Sequence, residues 1–337
     1  MRGGPIYLAG ADRSGTTLMS AILSSHPNIG MARLGSNMFT FFYGKFGDLS
    51  RRDNFERCLA ALLKYKHVQI LNPDAERIRR EFWAGKPSYA RLFALLNAHY
   101  AGQMGKTRWG DKTSYIERYA DPILADDPTA QFVHMVRDPR DRYASSITKY
   151  KRQRGRVGGA TARWLYSMRL ARRSLQRYPA NYLVVRYENL AARPEETVRQ
   201  VCAFLGEEYA PSMLAMGGAE QFLNRGGNSS YGDAHGGIST ASIGRFRKVL
   251  SKGDLAFMQS QAGAEMAAYD YRPERLRLSW SEQLSYYLVE WPTGRALMAA
   301  WRALETLQHN FPAQFGRRPV HSRDGAEEKE FGESQTA

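Results

Sequence analysis

A glycine-rich loop between an apolar run and an amphipathic segment constrains the fold of this 337-residue chain more than any other feature. The run Ile6-Tyr7-Leu8-Ala9 is typical of a buried strand, and residues 10–18 follow it with the sequence Gly-Ala-Asp-Arg-Ser-Gly-Thr-Thr-Leu. From Thr16 onward apolar residues recur at helical spacing, until Pro27 disfavours the helix. A strand, a glycine loop and a helix N-terminus in this order predict an α/β protein in which backbone N–H groups face an anion.

The loop departs from the nucleotide P-loop at one position. Gly10 and Gly15 have the G-x-x-x-x-G spacing and Thr17 occupies the Ser/Thr position, but Thr16 stands where that motif has lysine. The missing lysine is the group that reaches the terminal phosphates of ATP or GTP. Because the cation here is Arg13, inside the loop, the sequence predicts a phosphate-binding loop that serves a different nucleotide and disfavours an ATPase. The spacing of the two glycines, taken alone, also fits an ordinary glycine turn that joins a strand to a helix.

The rest of the chain repeats the alternation of strand and helix. Residues 131–136 and 182–187 read as buried strands, and helical patterns follow each of them. Helical spacing also predicts helices over 53–66, 88–101 and 295–311. The alternation predicts a three-layer α/β/α fold with a central parallel sheet, whose ligands bind at the carboxyl ends of the strands. The polar residues expected at that edge are residues 10–17, Asp111, Lys112, Arg137, Tyr187 and Glu188.

Charge and composition exclude some classes and leave others open. The net charge of +15 admits a nucleic-acid-binding protein, yet the most basic stretch, 149–156, has few interleaved aromatic residues and reads as a solvated basic loop. No run of 18 apolar residues occurs, which predicts no integral membrane segment. Cys58 and Cys202 form no metal or disulfide framework, and Met1 leads almost directly into a core strand without a signal peptide. We therefore expect a cytoplasmic protein.

Four motifs in order resemble those of sulfotransferases that use 3′-phosphoadenosine 5′-phosphosulfate (PAPS). They are residues 13–17, residues 136–140 with Ser145, residues 186–190 with the following helix to Gly206, and residues 244–246. The resemblance spans most of residues 5–272 and implies a P-loop-NTPase-like sulfotransferase fold. It is closer to bacterial enzymes of the tyrosyl-protein and carbohydrate types than to the cytosolic small-molecule type, whose loop has lysine in place of Arg13.

The resemblance implies a role for each matched residue. The 5′-phosphosulfate loop would bind through Arg13, Ser14, Gly15, Thr16 and Thr17, with Arg13 also serving catalysis. The 3′-phosphate would bind to Arg137 and Ser145, with Lys149 as a further cation. Adenosine or phosphate contacts would come from Tyr187, Ser230 and Arg245, and Lys112 would bridge donor and acceptor. A surface ion pair with Asp111 is the alternative for Lys112. No metal is expected, and adenosine 3′,5′-bisphosphate would be the product.

The sequence departs from the family pattern at the general base. Carbohydrate and tyrosyl types have a glutamate shortly after the first helix, where this chain reads Met31 to Asn37, and cytosolic types have a histidine where Ser114 stands. Asp111 is the nearest carboxylate and is our candidate for deprotonating the acceptor. His134 is expected to be buried in its strand.

These observations predict sulfuryl transfer from PAPS to a hydroxyl or amine of a small-molecule, carbohydrate or lipid acceptor. A P-loop kinase or NTPase and a basic nucleic-acid-binding protein are the alternatives, and the leading prediction includes no nucleic-acid partner. We expect one sulfotransferase domain over 1–318, in which a helical and loop insertion at 31–105 shapes the acceptor site. The polar, Glu-rich segment 319–337 is expected to be a disordered tail.

Overall fold

The computed structural model describes residues 3–32, 34–113, 115–216 and 238–317. Its centre is a five-stranded sheet in the order β2-β3-β1-β4-β5, in which every neighbouring pair is parallel. The strands are β1 (Ile6–Ala9), β2 (Ile29–Met31), β3 (Arg108–Lys112), β4 (Gln131–Val136) and β5 (Tyr182–Arg186). The first strand therefore lies in the middle, with its loop between the ends of β3 and β4.

Helices connect the strands and extend beyond them. The α-helices are α1 (Thr16–Ser24), α2 (Met38–Phe42), α3 (Arg52–Leu63), α4 (Lys66–Gln69), α5 (Ala75–Trp83), α6 (Tyr89–Gln103), α7 (Ala120–Asp126), α8 (Pro139–Lys149), α9 (Val157–Arg177), α10 (Tyr187–Ala192), α11 (Pro194–Leu205), α12 (Ser212–Ala215), α13 (Phe246–Val249), α14 (Lys252–Ala267), α15 (Trp280–Ser285), α16 (Trp291–Asn310) and α17 (Pro312–Phe315). Short 3₁₀ helices cover Ile116–Tyr119 and Lys151–Gln153, and a π-helical turn covers Tyr286–Glu290.

Side chains of successive strand residues point to opposite faces of the sheet, and this alternation divides the core. Ile6 and Leu8 pack in one apolar cluster with buried residues of α1 and α11. Tyr7 and Ala9 pack in another, with residues of α2, α3, α5, α6 and α7. All four side chains are at most 2% exposed. Helices thus cover both faces, and the predicted three-layer α/β/α architecture is confirmed.

The predicted strands at 131–136 and 182–187 are confirmed as β4 and β5, whereas β2 and β3 were not predicted. The sequence of β3, Arg-Trp-Gly-Asp-Lys, lacks an apolar run. Its polar side chains instead contact neighbouring loops. The short helix α2 lies near the start of the predicted insertion 31–105. The helices predicted over 53–66, 88–101 and 295–311 correspond to α3, α6 and α16.

Segment 31–105 consists mainly of the helices α2 to α6, which pack on one face of the sheet. Cys58 and Cys202 are buried and carry free thiols. Among the residues described, none of the helices combines the length and apolar character needed to cross a lipid bilayer. Residues 319–337 lie outside the described part of the chain, so the disordered tail stays a prediction. The single sulfotransferase domain over 1–318 stays a prediction as well.

Candidate active site

The loop after β1 has a backbone that two glycines make possible. Gly10 has φ +125° and Gly15 has φ +92°, values that side chains other than hydrogen rarely permit. A Cβ on Gly10 would lie 2.4 Å from the carbonyl oxygen of Met135, and one on Gly15 would lie 2.5 Å from the ring of Tyr187. Arg13, at φ +67°, takes the same left-handed conformation despite its side chain. The loop is therefore packed closely between β4 and the residue that follows β5.

A buried series of hydrogen-bonded side chains holds the start of this loop. The N–H of Gly10 donates to Oε2 of Glu117 (3.3 Å), whose Oε1 accepts from the hydroxyl of Ser167 (2.6 Å). Since that hydroxyl proton is given to Glu117, His134 donates from Nε2 to Ser167 (3.2 Å) and accepts at Nδ1 from Tyr182 (2.7 Å). His134 is fully buried, as predicted, and burial lowers its pKa. The sequence analysis missed Glu117, for which no local motif exists.

Arg137 lies at the end of β4 with an unusual set of contacts. Its side chain donates to the carbonyl oxygens of Arg13 (3.2 Å) and Ser242 (2.8 Å) and stacks 4.3 Å from the centre of the Tyr187 ring. The residue is 4% exposed, yet its buried Nε has no hydrogen-bond partner among the described residues. A buried, unpartnered N–H of a guanidinium is costly unless a further acceptor joins it. A phosphate oxygen is an acceptor that would satisfy this donor.

Two more arginines lie close to Arg137. Nε of Arg13 donates to the hydroxyl of Ser145 on α8 at 3.1 Å, and Lys149 lies one helical turn further along, exposed to solvent. Burial is the largest of the effects that lower the pKa of Arg13, and the positive charges of Arg137 and Arg245 lower it as well. Cations gathered in this way are stabilised by a bound polyanion. The structure thus brings Arg13, Arg137, Ser145 and Arg245 close together.

A carboxylate on α8 holds the segment that carries Arg245. Both oxygens of Asp141 accept backbone N–H groups, from Gly244 at 2.7 Å and from Phe246 at 2.9 Å. The Phe246 ring also stacks 4.3 Å from the guanidinium of Arg140. Asp141 was not among the predicted site residues, because its partners lie more than 100 residues away in the chain.

Lys112 and Asp111, adjacent at the end of β3, have different partners. Nζ of Lys112 donates to Oγ1 of Thr17 in the first turn of α1, at 3.3 Å. Asp111 is 2% exposed and accepts three hydrogen bonds, two from Ser36 (2.7 and 3.0 Å) and one from the hydroxyl of Thr113 (3.0 Å). Burial raises its pKa more than these bonds lower it. The alternative, a surface ion pair between Lys112 and Asp111, does not fit a carboxylate that is buried in this way.

The segment after β2 lies against Lys112. A Cβ on Gly35 would lie 1.6 Å from the carbonyl oxygen of Lys112 and 3.5 Å from its Cε. The carbonyl oxygen of Gly35 accepts from Nδ1 of His67 (2.8 Å) and from the amide of Asn37 (3.1 Å). The half-buried His67 ring stacks on Tyr65, and donation from Nδ1 gives Nε2 the lone pair in the neutral ring. The sequence analysis missed His67, which no motif accompanies.

The residue before Arg13 forms a separate ion pair. Oδ1 of Asp12 accepts from Arg142 at 2.6 Å and from the hydroxyl of Tyr115 at 3.2 Å. Burial by itself would raise the pKa of Asp12, but the charges of Arg142 and Arg163 and these hydrogen bonds lower it to about 2. This pair gives the loop a second contact with α8, three residues before Ser145.

The remaining predicted residues divide into three groups. Thr16 and Thr17 lie in the first turn of α1, where backbone N–H groups have no partner within the helix. The N–H of Ser14 bonds within the loop to the carbonyl of Ala11 at 3.2 Å, so its side chain and not its amide is left for a ligand. Ser230 and Ser114 lie outside the described residues. Within the described ranges, no group of three His, Cys, Asp or Glu side chains is arranged to hold a metal ion.

The fold and the site define an α/β protein with a glycine loop between its first strand and first helix, beside which arginines gather. The chain belongs to the Sulfotransferase family, whose model matches residues 5–211. It is 26% identical over 287 residues to the nodulation protein NoeE of Sinorhizobium fredii (strain NBRC 101917 / NGR234), covering 77% of this chain. The chain spans 64% of the length of NoeE. The alternatives of a P-loop kinase or NTPase and of a nucleic-acid-binding protein are not favoured by this membership.

Two further likenesses agree with the family. A putative protein-tyrosine sulfotransferase of Caenorhabditis briggsae is 26% identical over 232 residues, which cover 65% of this chain and 72% of that protein. Among solved structures, the sulfotransferase domain of the Synechococcus PCC 7002 olefin synthase superposes with a TM-score of 0.55 at 20% identity. That superposition covers 80% of this chain and 96% of the other, and it supports the fold.

Proposed function

We propose that the protein transfers a sulfuryl group from PAPS to a hydroxyl or amine of an acceptor. The observation that carries the proposal is the orphaned Nε of Arg137, buried next to a loop that already has its own anion-binding backbone. Two anion sites, a glycine loop and a separate arginine, suit a nucleotide with a 5′-phosphosulfate and a separate 3′-phosphate. A nucleoside triphosphate, with one chain of phosphates, gives no reason for the second site.

The residues divide between the two phosphate groups. The first turn of α1, with Thr16 and Thr17, would hold the 5′-phosphate through backbone N–H groups and the helix dipole. Arg137 would bind the 3′-phosphate, because a guanidinium forms strong charge-assisted hydrogen bonds with phosphate oxygens. Ser145 and Lys149 would add a hydroxyl and a second cation from one side of α8. The ring of Tyr187 and the guanidinium of Arg245 would contact the adenosine or its phosphate, as would Ser230.

Bound PAPS would supply an activated sulfuryl group, and the chain would supply position and charge. Arg13 and Lys112 would stabilise the negative charge that develops during transfer, because preorganised donors in a partly dehydrated site act strongly on such charge. Nζ of Lys112 already contacts Oγ1 of Thr17, next to the proposed 5′-phosphate position. This places a cation from β3 beside the loop from β1.

The proton acceptor has two candidates. Asp111 has the raised pKa that suits a base, but its three hydrogen bonds also explain it as the anchor of residues 36–37. His67 donates from Nδ1 to the carbonyl oxygen of Gly35, a residue that also lies against Lys112, and the lone pair of the neutral ring is then on Nε2. If His67 is the base, His67→Gln lowers the transfer rate with PAPS affinity unchanged. An unchanged transfer rate in this variant leaves the role to Asp111.

We further propose a small-molecule, carbohydrate or lipid acceptor and a cytoplasmic location. The putative protein-tyrosine sulfotransferase and the nodulation protein have names that suggest different acceptors, so the acceptor class follows from neither. Segment 31–105 would shape the acceptor site, since its residues 34–37 lie beside Lys112.

Calorimetric titration with adenosine 3′,5′-bisphosphate in the presence of EDTA tests the nucleotide. We expect binding without magnesium and tighter than that of AMP, which lacks the 3′-phosphate. A transfer screen with labelled PAPS over phenols, sugars and lipids then tests the reaction. Absence of bisphosphate binding, or magnesium-dependent ATP binding that is tighter, would contradict the proposal.

A further inference from the structure

Six large apolar side chains are exposed within residues 280–291, which we call the 280–291 face, and a second exposed group follows at Leu304, Leu307, Phe311 and Phe315. The 280–291 face spans α15, the π-helical turn over Tyr286–Glu290 and the first residue of α16. Exposed patches of this kind on a folded protein mark interaction sites. The members and their exposed fractions are Trp280 (80%), Leu284 (52%), Tyr287 (66%), Leu288 (68%), Val289 (60%) and Trp291 (40%).

The opposite side of this stretch fixes it to the protein. Ser279 and Glu282 form a reciprocal capping box at the start of α15. Tyr286 is 6% exposed and packs in the apolar cluster that contains Phe246. Gly294, in the next helical turn, lies against Phe257 so closely that a Cβ would come within 2.4 Å of its ring. The exposed aromatic side chains therefore belong to an anchored helix and not to a frayed end.

The charges around the 280–291 face are sorted by sign. Glu282 pairs with Lys252 at 2.9 Å, and Glu290 accepts from Ser285 and lies against Gly253 at the start of α14. These contacts turn both carboxylates of the stretch toward the protein. Three exposed arginines, Arg272, Arg275 and Arg277, precede the face in the chain, and Glu274 between them pairs with Arg247. Arg295, also exposed, stacks 5.7 Å from the Trp291 ring. The face thus combines tryptophan, tyrosine and leucine with a positive rim.

We propose that the 280–291 face docks on the surface of an anionic lipid bilayer. Tryptophan and tyrosine prefer the boundary between water and acyl chains, and arginines at the rim attract anionic headgroups. A second copy of this chain would bring the same positive rims together within a protein of net charge +15, which opposes self-association through this face. The helix would lie in the interface with its apolar side chains inserted.

Sedimentation with vesicles tests this surface on the full chain. We expect the protein to sediment with vesicles that contain phosphatidylglycerol, to release at high salt, and to stay in solution with phosphatidylcholine alone. The double variant Trp280→Ser/Leu288→Ser is expected to lose on the order of a hundredfold in vesicle affinity, because two inserted apolar side chains are removed. Charge reversal at Arg275 and Arg277 to glutamate should abolish the preference for anionic lipid.

Leu307→Ser is the matched control, since Leu307 is 41% exposed on α16 but lies outside the face. Binding of adenosine 3′,5′-bisphosphate checks that each variant is folded, and this test of the face does not depend on sulfuryl transfer. An equal loss in Leu307→Ser overturns the assignment to residues 280–291. Absence of vesicle binding also overturns the proposal. It does so whether or not the protein forms concentration-dependent dimers that the double variant disrupts.

Discussion

Arg13 and Ser145 lie 132 residues apart in the chain, and Nε of the arginine donates to the serine hydroxyl at 3.1 Å. The contact joins the loop after β1 to the helix after β4, and it connects the two proposed phosphate positions. Because Ser145 is also the proposed hydroxyl ligand of the 3′-phosphate, one side chain serves both the empty loop and the bound nucleotide.

Ser145→Ala is expected to weaken binding of adenosine 3′,5′-bisphosphate about five- to tenfold, since a single hydroxyl hydrogen bond contributes about 1 kcal/mol. Calorimetry measures the change. Ser146→Ala, the neighbouring buried serine of α8, is the control and should leave the affinity unchanged. Equal losses in the two variants would indicate general damage to α8 and remove the assigned contact.

Arg137→Ala is expected to reduce affinity for the same nucleotide by about 10- to 100-fold, because a charge-assisted hydrogen bond contributes about 1.5–3 kcal/mol. AMP, which lacks the 3′-phosphate, should bind the variant and the parent protein with similar affinity. Arg199→Ala, at an exposed ion pair with Glu195, serves as the control for loss of one positive charge. A parallel loss of AMP affinity would argue against a 3′-phosphate contact.

Gly15→Ala places a methyl group 2.5 Å from the Tyr187 ring at a left-handed φ of +92°. We expect a loss of about 1–3 kcal/mol in stability together with loss of nucleotide binding. Thermal unfolding and calorimetry follow the two effects. Gly102→Ala in α6, where the new Cβ has no atom within 4 Å, should bind normally and be slightly more stable. Normal binding by Gly15→Ala would mean that the loop does not need this backbone.

Asp141→Asn replaces one of two carboxylate acceptors with an amide that cannot accept a hydrogen bond. The N–H of Gly244 or Phe246 then loses its partner, and Arg245 is less well positioned. We expect nucleotide affinity to fall about tenfold while thermal unfolding changes little, because the lost bond holds a loop. A double variant with Arg245→Ala separates the roles: if Asp141 acts by positioning Arg245, the two losses do not add.

The ion pair of Asp12 predicts a specific dependence of stability on pH. Its pKa of about 2 in the folded protein is below that of the unfolded chain, so its contribution is present above pH 4 and is lost as pH falls toward 2. Because the Asp12 side chain is 41% exposed, we expect a contribution of about 1 kcal/mol. Urea unfolding of the parent and Asp12→Asn should give a difference in stability that is smaller at pH 3 than at pH 6. A difference independent of pH would contradict this account.

Several parts of the site followed from local sequence. The loop at 10–17 was predictable because a strand, two spaced glycines and a helix are contiguous in the chain. The ends of β4 and β5 were predictable because their apolar runs stop at Arg137 and Arg186. β3 was not, since its polar residues are explained only by partners such as Ser36.

The sequence by itself determined the class of fold and proposed the anion-binding residues, because both depend on short contiguous patterns in the chain. Only the tertiary structure decided how these residues act together. In the folded chain Asp111 accepts three hydrogen bonds, and His67 donates to the carbonyl oxygen of Gly35. Asp141 accepts a hydrogen bond from the segment that carries Arg245. Each of these contacts joins residues far apart in the chain, and their geometry depends on the order of strands in the sheet and on packing that no local pattern encodes.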